Sequence, residues 1–222
     1  MRIALVIFDM DGVITETTHE HYQAWTLLFK KHFNINLNPD FETYTRGVSR
    51  LESLEILLSK SGIHIASLDV KKALANEKNL MYQQLIQAFD SSKVLPGVKD
   101  LIHYLKERNI KIALGSASKN GSFLLERLGL KDAFDYHVDP SHLRSKPKPD
   151  IFLDAMHHFR LSPKACLGIE DAEAGIQAIK AAGMYAIGVG KEPLIQADWK
   201  LNDLASLDYQ KLEEILMNPY EK

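Results

Sequence analysis

Four short apolar runs, separated by long amphipathic stretches, constrain this chain more than any other feature. They are residues 3–8 (IALVIF), 111–116 (KIALGS), 165–169 (ACLGI) and 184–189 (MYAIGV), with a weaker one, FDYHV, starting at Phe134. Each is nearly continuously hydrophobic rather than alternating, as expected for parallel strands covered on both faces. Between them the spacing predicts helices after Pro96-Gly97, through Leu101, Leu105 and Arg108, and over 121–128, 150–159 and 172–182. Strand–helix alternation of this kind predicts an α/β fold, a doubly wound parallel-sheet (Rossmann-like) core.

One region breaks the rhythm. Residues 15–90 offer no buried strand. HEHYQAWTLLFKKHF carries Tyr22, Trp25, Leu28, Phe29 and Phe33 at helical spacing, and SRLESLEILLSKSG and VKKALANEKNLMYQQLIQAF follow the same period. The expectation is an inserted all-helical cap domain of roughly 75 residues at 15–90, a plausible size for a small domain, with the core made of 1–14 plus 91–222. Such an insert, beside the end of the first strand, could open and close over a site.

Polar residues follow each apolar run. Asp9 and Asp11 follow the first, Ser116 and Lys119 the second, and Glu170 and Asp171 the run at 165–169; Lys146 sits in the loop SKPKPD. In a parallel sheet these ends face one crevice. Four carboxylates there would repel and resist desolvation unless a hard divalent cation joined them. Magnesium suits oxygen ligands and keeps room for phosphate oxygens. A carboxylate nucleophile, a hydroxyl, a lysine and magnesium make a phosphoryl-transfer set.

Composition narrows the alternatives. The formal charge is −2, with 45% apolar and 25% charged residues, so no broad basic surface for nucleic acid is expected. Cys166, the only cysteine, lies in an apolar run and reads as a buried, inert thiol in a reducing compartment. No apolar stretch approaches a membrane span or a signal-peptide core, and the expected location is cytoplasmic.

The motifs together resemble the haloacid dehalogenase superfamily. DMDGVITET resembles its first, DxDG-type motif, GSAS its second, SKPKPD its lysine motif and GIEDAEAGIQAIKAAG its acidic fourth motif. Within the superfamily, GVITET followed by His21 and Trp25, GVSR at 47–50 and SASKNGSFLLERLGL resemble the β-phosphoglucomutase family. The resemblance implies Asp9 as nucleophile and Asp11 as general acid/base. It implies magnesium on Asp9, the Asp11 backbone carbonyl and Asp171, with Glu170 beside it. Ser116, with Ala117 next to it, and Lys146 would hold the transferring phosphoryl group; Gly47, Arg50, Lys119 and Asn120 would hold the other phosphate. Thr17 and His21 fall where the family's hinge positions Asp11, and Trp25, Ser53 and Lys78 match cap positions that face the sugar. Glu16 stands where the family often has Asp, and Gly115 is a small variation in the second motif. The implied partner is a small-molecule sugar phosphate, acted on by a monomer without nucleic acid or membrane. A sugar-phosphate phosphatase of the same superfamily and a non-catalytic phosphate-binding module are the alternatives. Dehalogenase chemistry is disfavoured, because it needs neither magnesium nor a second acid at the position of Asp11.

Read singly, several of these residues have ordinary structural roles. Asp11-Gly12 is a common turn pair. Glu170-Asp171 could serve the N-terminus of the following helix. Arg50 could pair with Glu52 or Glu55 on its own helix, and Trp25 could simply be cap core.

Overall fold

The computed structural model describes residues 2–45, 48–191 and 193–220. Six parallel strands form one sheet: β1 (Leu5–Phe8), β2 (Lys111–Leu114), β3 (Tyr136–His137), β4 (Cys166–Glu170), β5 (Tyr185–Val189) and β6 (Trp199–Leu201). Their order is β3-β2-β1-β4-β5-β6. The apolar runs became the central strands because both faces are covered: every residue of β1, β4 and β5 is buried. β6 was not anticipated. It is a three-residue edge strand, with Lys200 exposed between the buried Trp199 and Leu201, too short to show a period.

Helices follow in chain order: α1 (Thr18–Phe33), α2 (Glu42–Thr45), α3 (Arg50–Lys60), α4 (Leu68–Ile86), α5 (Val98–Glu107), α6 (Gly121–Arg127), α7 (Asp150–His158), α8 (Glu173–Ala181) and α9 (Tyr209–Met217). The chain divides into two compact units, Met1–Glu16 with Asp90–Lys222, and Thr17–Phe89. The first carries the sheet with α5 to α9. Its core joins Leu5, Ile7, Ala113 and Ala186 of the strands to Ile151, Phe152 and Ile176 of the helices. The second carries α1 to α4 around Trp25, Leu28, Phe29, Leu54, Leu57 and Leu74. No described helix is long and apolar enough to cross a membrane.

Where the chain leaves and re-enters the sheet unit, its two segments are tied together. The Leu95 amide donates to the Ile14 carbonyl at 2.9 Å, and the Thr15 hydroxyl donates to the Lys93 carbonyl at 2.7 Å.

The strand order reverses between β1 and β4. In open parallel sheets, ligands bind outside the carboxyl ends of strands at such a reversal. Asp9 follows β1 directly, and Glu170 is the last residue of β4.

Candidate active site

Register brings the acids together. Phe8 pairs with Leu114 on one side and Ile169 on the other. The ladder continues one step beyond β1: the Asp9 amide donates to the Ile169 carbonyl at 3.0 Å, and the Gly115 amide to the Phe8 carbonyl at 2.8 Å. Asp9 therefore lies beside Glu170 and next to the Gly115-Ser116 step, one strand spacing of roughly 5 Å away on each side. One ligand oxygen from each of Asp9, Glu170 and Asp171 falls within 4.8 Å of the others, and all three residues are buried.

Lys146 reaches this cluster from its loop. Its Nζ donates to Asp9 Oδ1 at 2.5 Å and to Glu170 Oε1 at 2.6 Å, with 1% of the side chain exposed. Glu170 spends its other oxygen on the backbone, accepting from the amides of Asp171 at 2.8 Å and Ala172 at 2.9 Å. The acidic motif thus braces the turn into α8, and Glu170 holds the lysine in place.

Two glycines permit this packing. A Cβ on Gly12 would lie 1.9 Å from Asp171 Oδ2, and Gly12 has φ +73°, which side chains rarely adopt. The Asp11-Gly12 turn therefore lies directly against Asp171. A Cβ on Gly175 would lie 1.9 Å from Glu170 Oε1, so the first turn of α8 can press on that carboxylate only as glycine.

Three carboxyl groups against one ammonium leave surplus negative charge in a buried site. Burial pushes the Asp9 carboxyl up, to about 7; Lys146 pulls it down, and Glu170 and Asp11 push it further up. Lys146 is penalised by burial too, but Asp9 and Glu170 outweigh that and raise its pKa. An all-oxygen donor set with surplus negative charge is what a hard divalent cation neutralises, so the residues present fit such an ion.

The remaining sheet-unit positions vary. Ser116 is buried, with its Oγ accepting from the Ser118 amide at 3.1 Å. Ala117 is half-buried, Asn120 is buried and Lys119 is exposed. Asp11 is half-buried and bridges to Thr15.

The helical unit assembles a second cluster. Thr17, His21 and Lys78 converge: Lys78 Nζ lies 2.6 Å from His21 Nδ1, and Tyr82 Oη donates to Thr17 Oγ1 at 3.0 Å. The Lys78 ammonium lies 4.9 Å from the Trp25 ring centroid and 4.8 Å from that of Tyr82. Burial lowers the His21 pKa well below its usual value, and the charges of Lys78 and Arg50 lower it further. Its ring is therefore neutral, and because Nδ1 accepts from Lys78, the proton resides on Nε2. Arg50 opens α3 half-buried, with its pKa lowered by burial and raised by Tyr82. Of its suggested helix partners, Glu52 closes a capping box with Ser49 and Glu55 pairs with Lys71 at 3.1 Å. Trp25 is buried against Phe29 as part of the unit's core. Ser53 is buried, with its hydroxyl on the Ser49 carbonyl at 3.0 Å. Gly47 lies outside the described residues.

Sequence reasoning did not single out Tyr82 or Gly175, and it read Gly12 only as part of a turn. Gly175 stood inside a quoted motif. Tyr82 gave only its i+4 spacing from Lys78 as a signal.

The haloacid dehalogenase-like hydrolase pattern matches residues 3–183. The chain belongs to this family. Among its curated relatives, a β-phosphoglucomutase of Bacillus subtilis (strain 168) is 42% identical over 212 residues, covering 94% of this chain and 93% of that protein. The fructose-1-phosphate phosphatase YqaB of Escherichia coli (strain K12) is 33% identical, over 85% of this chain and 97% of the other. A crystal structure of β-phosphoglucomutase from Clostridium difficile superposes with a TM-score of 0.93 at 39% identity, covering 98% of both chains. The haloacid dehalogenase-like assignment makes this chain an enzyme.

Proposed function

We propose that the protein is a magnesium-dependent β-phosphoglucomutase that interconverts β-D-glucose 1-phosphate and glucose 6-phosphate. The observation that carries this reading is similarity to two β-phosphoglucomutases along nearly the whole chain, helical unit included. The all-oxygen acid cluster beside Lys146 supplies the chemistry.

In this reading Asp9 carries the phosphoryl group as an aspartyl phosphate. The sugar 6-hydroxyl attacks that phosphorus, its proton passes to Asp11, and Asp9 departs as a carboxylate, giving β-glucose 1,6-bisphosphate. After the intermediate turns end for end, an Asp9 oxygen attacks the phosphorus at C1. The C1 oxygen leaves with the proton from Asp11, and glucose 6-phosphate is released from the recharged enzyme. Asp11 must work in both directions, so its pKa has to lie near the working pH.

Magnesium, held by Asp9, the Asp11 carbonyl and Asp171, would supply charge neutralisation at the transferring group. Lys146, held by Glu170, and Ser116 with Ala117 bind the transferring phosphoryl oxygens. Arg50, Gly47, Lys119 and Asn120 anchor the other phosphate. Trp25, Ser53 and Lys78 bear on the sugar, and Thr17 and His21 on Asp11. A single polypeptide acting in the cytoplasm on a small sugar phosphate suffices for this cycle.

The test is a product assay with β-glucose 1-phosphate, magnesium and a trace of the bisphosphate. Glucose 6-phosphate should accumulate, without stoichiometric inorganic phosphate. The second reading, a sugar-phosphate phosphatase, is favoured by the fructose-1-phosphate phosphatase relative. It would give inorganic phosphate and free sugar instead, because water replaces the sugar hydroxyl as acceptor.

A further inference from the structure

Thr17 sits at the N-cap of α1 without doing what an N-cap threonine normally does. Ser49 and Ser67 accept the amides of Glu52 and Val70 and so cap α3 and α4. Thr17 makes no side-chain capping bond, although such a bond is worth about 1 kcal/mol. Its oxygen instead accepts the Tyr82 phenol proton at 3.0 Å. Tyr82 is fully buried, so its hydroxyl must find a partner.

The same side chain braces His21. The two rings stack with centroids 4.0 Å apart and planes 23° apart. α4 presents Leu74, Lys78, Tyr82 and Ile86 on one buried face, each four residues from the last. Thr17 and His21 are likewise one turn apart at the start of α1. One helix thus delivers a proton to each of two neighbouring groups on the other, Tyr82 to Thr17 and Lys78 to His21.

Direction follows from the donor inventory. A hydroxyl whose oxygen takes the Tyr82 proton keeps its own proton for a second partner. A neutral imidazole that accepts at Nδ1 donates at Nε2. We infer that Tyr82 is a positioning residue: it gives up the α1 cap to polarise Thr17 as a proton donor and sets the plane of His21, so that the first turn of the helical unit offers paired donors to an anionic or hydroxyl acceptor. This rests on the catalytic reading above, in which Thr17 and His21 orient Asp11.

The test is a double-mutant cycle with Tyr82→Phe and Thr17→Val. Tyr82→Phe keeps the stacked ring and removes only the proton donor. In whichever turnover the wild type performs, mutase or phosphatase, kcat should fall by about tenfold, the scale of one buried hydrogen bond, with KM within twofold. In the Thr17→Val background, Tyr82→Phe should have no further effect on kcat. Thermal denaturation of each variant separates folding defects from this effect. An unchanged kcat in Tyr82→Phe, or losses that simply multiply in the double variant, would overturn the inference. Failure of the mutase reading would show separately, in the identity of the wild-type product.

Discussion

Two lysines, one in each unit, are almost entirely buried, and they are held in opposite ways. Lys146 sits between two carboxylates at 2.5 and 2.6 Å. Lys78 faces the rings of Trp25 and Tyr82 and donates to the neutral His21. Charge balances charge in the first case. In the second, π faces and a lone pair stabilise the ammonium. A lysine locked in an ion pair keeps its proton through a reaction and can neutralise a phosphoryl group. A lysine held by rings and an imidazole mainly fixes the orientation of its neighbours. The comparison predicts that the sheet-unit cluster governs chemistry and the helical-unit cluster governs alignment.

The largest effect should come from Asp9. In the proposed mechanism Asp9→Asn removes the nucleophile, and turnover should fall by roughly 10⁴-fold or more with no acid-stable phosphoenzyme formed. Stability supplies a second readout. The Asp9 pKa rises from 3.8 to about 7 on burial. A carboxyl whose folded pKa is raised contributes stability that is fully present below pH 3.8 and is lost as pH rises toward 7. Metal-free wild type should therefore lose stability, on the order of a few kcal/mol, between about pH 4 and 7, relative to Asp9→Asn. Magnesium should remove most of that difference. Parallel pH profiles of wild type and variant without metal would count against a raised Asp9.

The two clusters also differ in how far the sequence betrays them. Asp9, Glu170 and Asp171 follow directly from strand ends, because a parallel sheet brings its carboxyl ends together whatever its loops do. Lys146 was readable only through its motif; a lysine in a proline-rich loop carries no periodic signal. Tyr82 was illegible, since one aromatic on an amphipathic helix looks like core until the partner helix is in place. Ser53 offers the reverse case. Its position matches a sugar-facing residue, yet its hydroxyl bonds the Ser49 carbonyl one turn back. β6 escaped notice because three residues at a sheet edge are too few to separate from a loop.

The next largest effect comes from replacing each lysine by methionine, which nearly preserves volume. Lys146→Met strands Asp9 and Glu170 without their counter-charge, and removing one partner of a buried ion pair costs about 3 to 5 kcal/mol. Chemical denaturation without metal should register that loss, and turnover should drop by about 10³-fold, the scale for removing a preorganised donor at a developing charge. Lys78→Met leaves the Nδ1 acceptor of His21 without its donor. It should cost about 1 kcal/mol, with kcat reduced by about tenfold. Equal destabilisation by the two substitutions would erase the distinction between ion pair and aromatic cage.

The smallest effect belongs to His21. Burial and the charges of Lys78 and Arg50 hold its pKa well below 6.5. A histidine with a depressed folded pKa contributes stability that is present above pH 6.5 and is lost as pH falls below it, because only the unfolded chain then takes up the proton. Its imidazole resonances should stay in the neutral, Nε2-protonated form through pH 6. In Lys78→Met one of the two opposing charges is gone, so the midpoint should move upward and the tautomer preference should relax. A His21 that titrates near 6.5 in the wild type would mean that Lys78 does not donate to Nδ1. The paired donors at the start of α1 would then have no fixed direction.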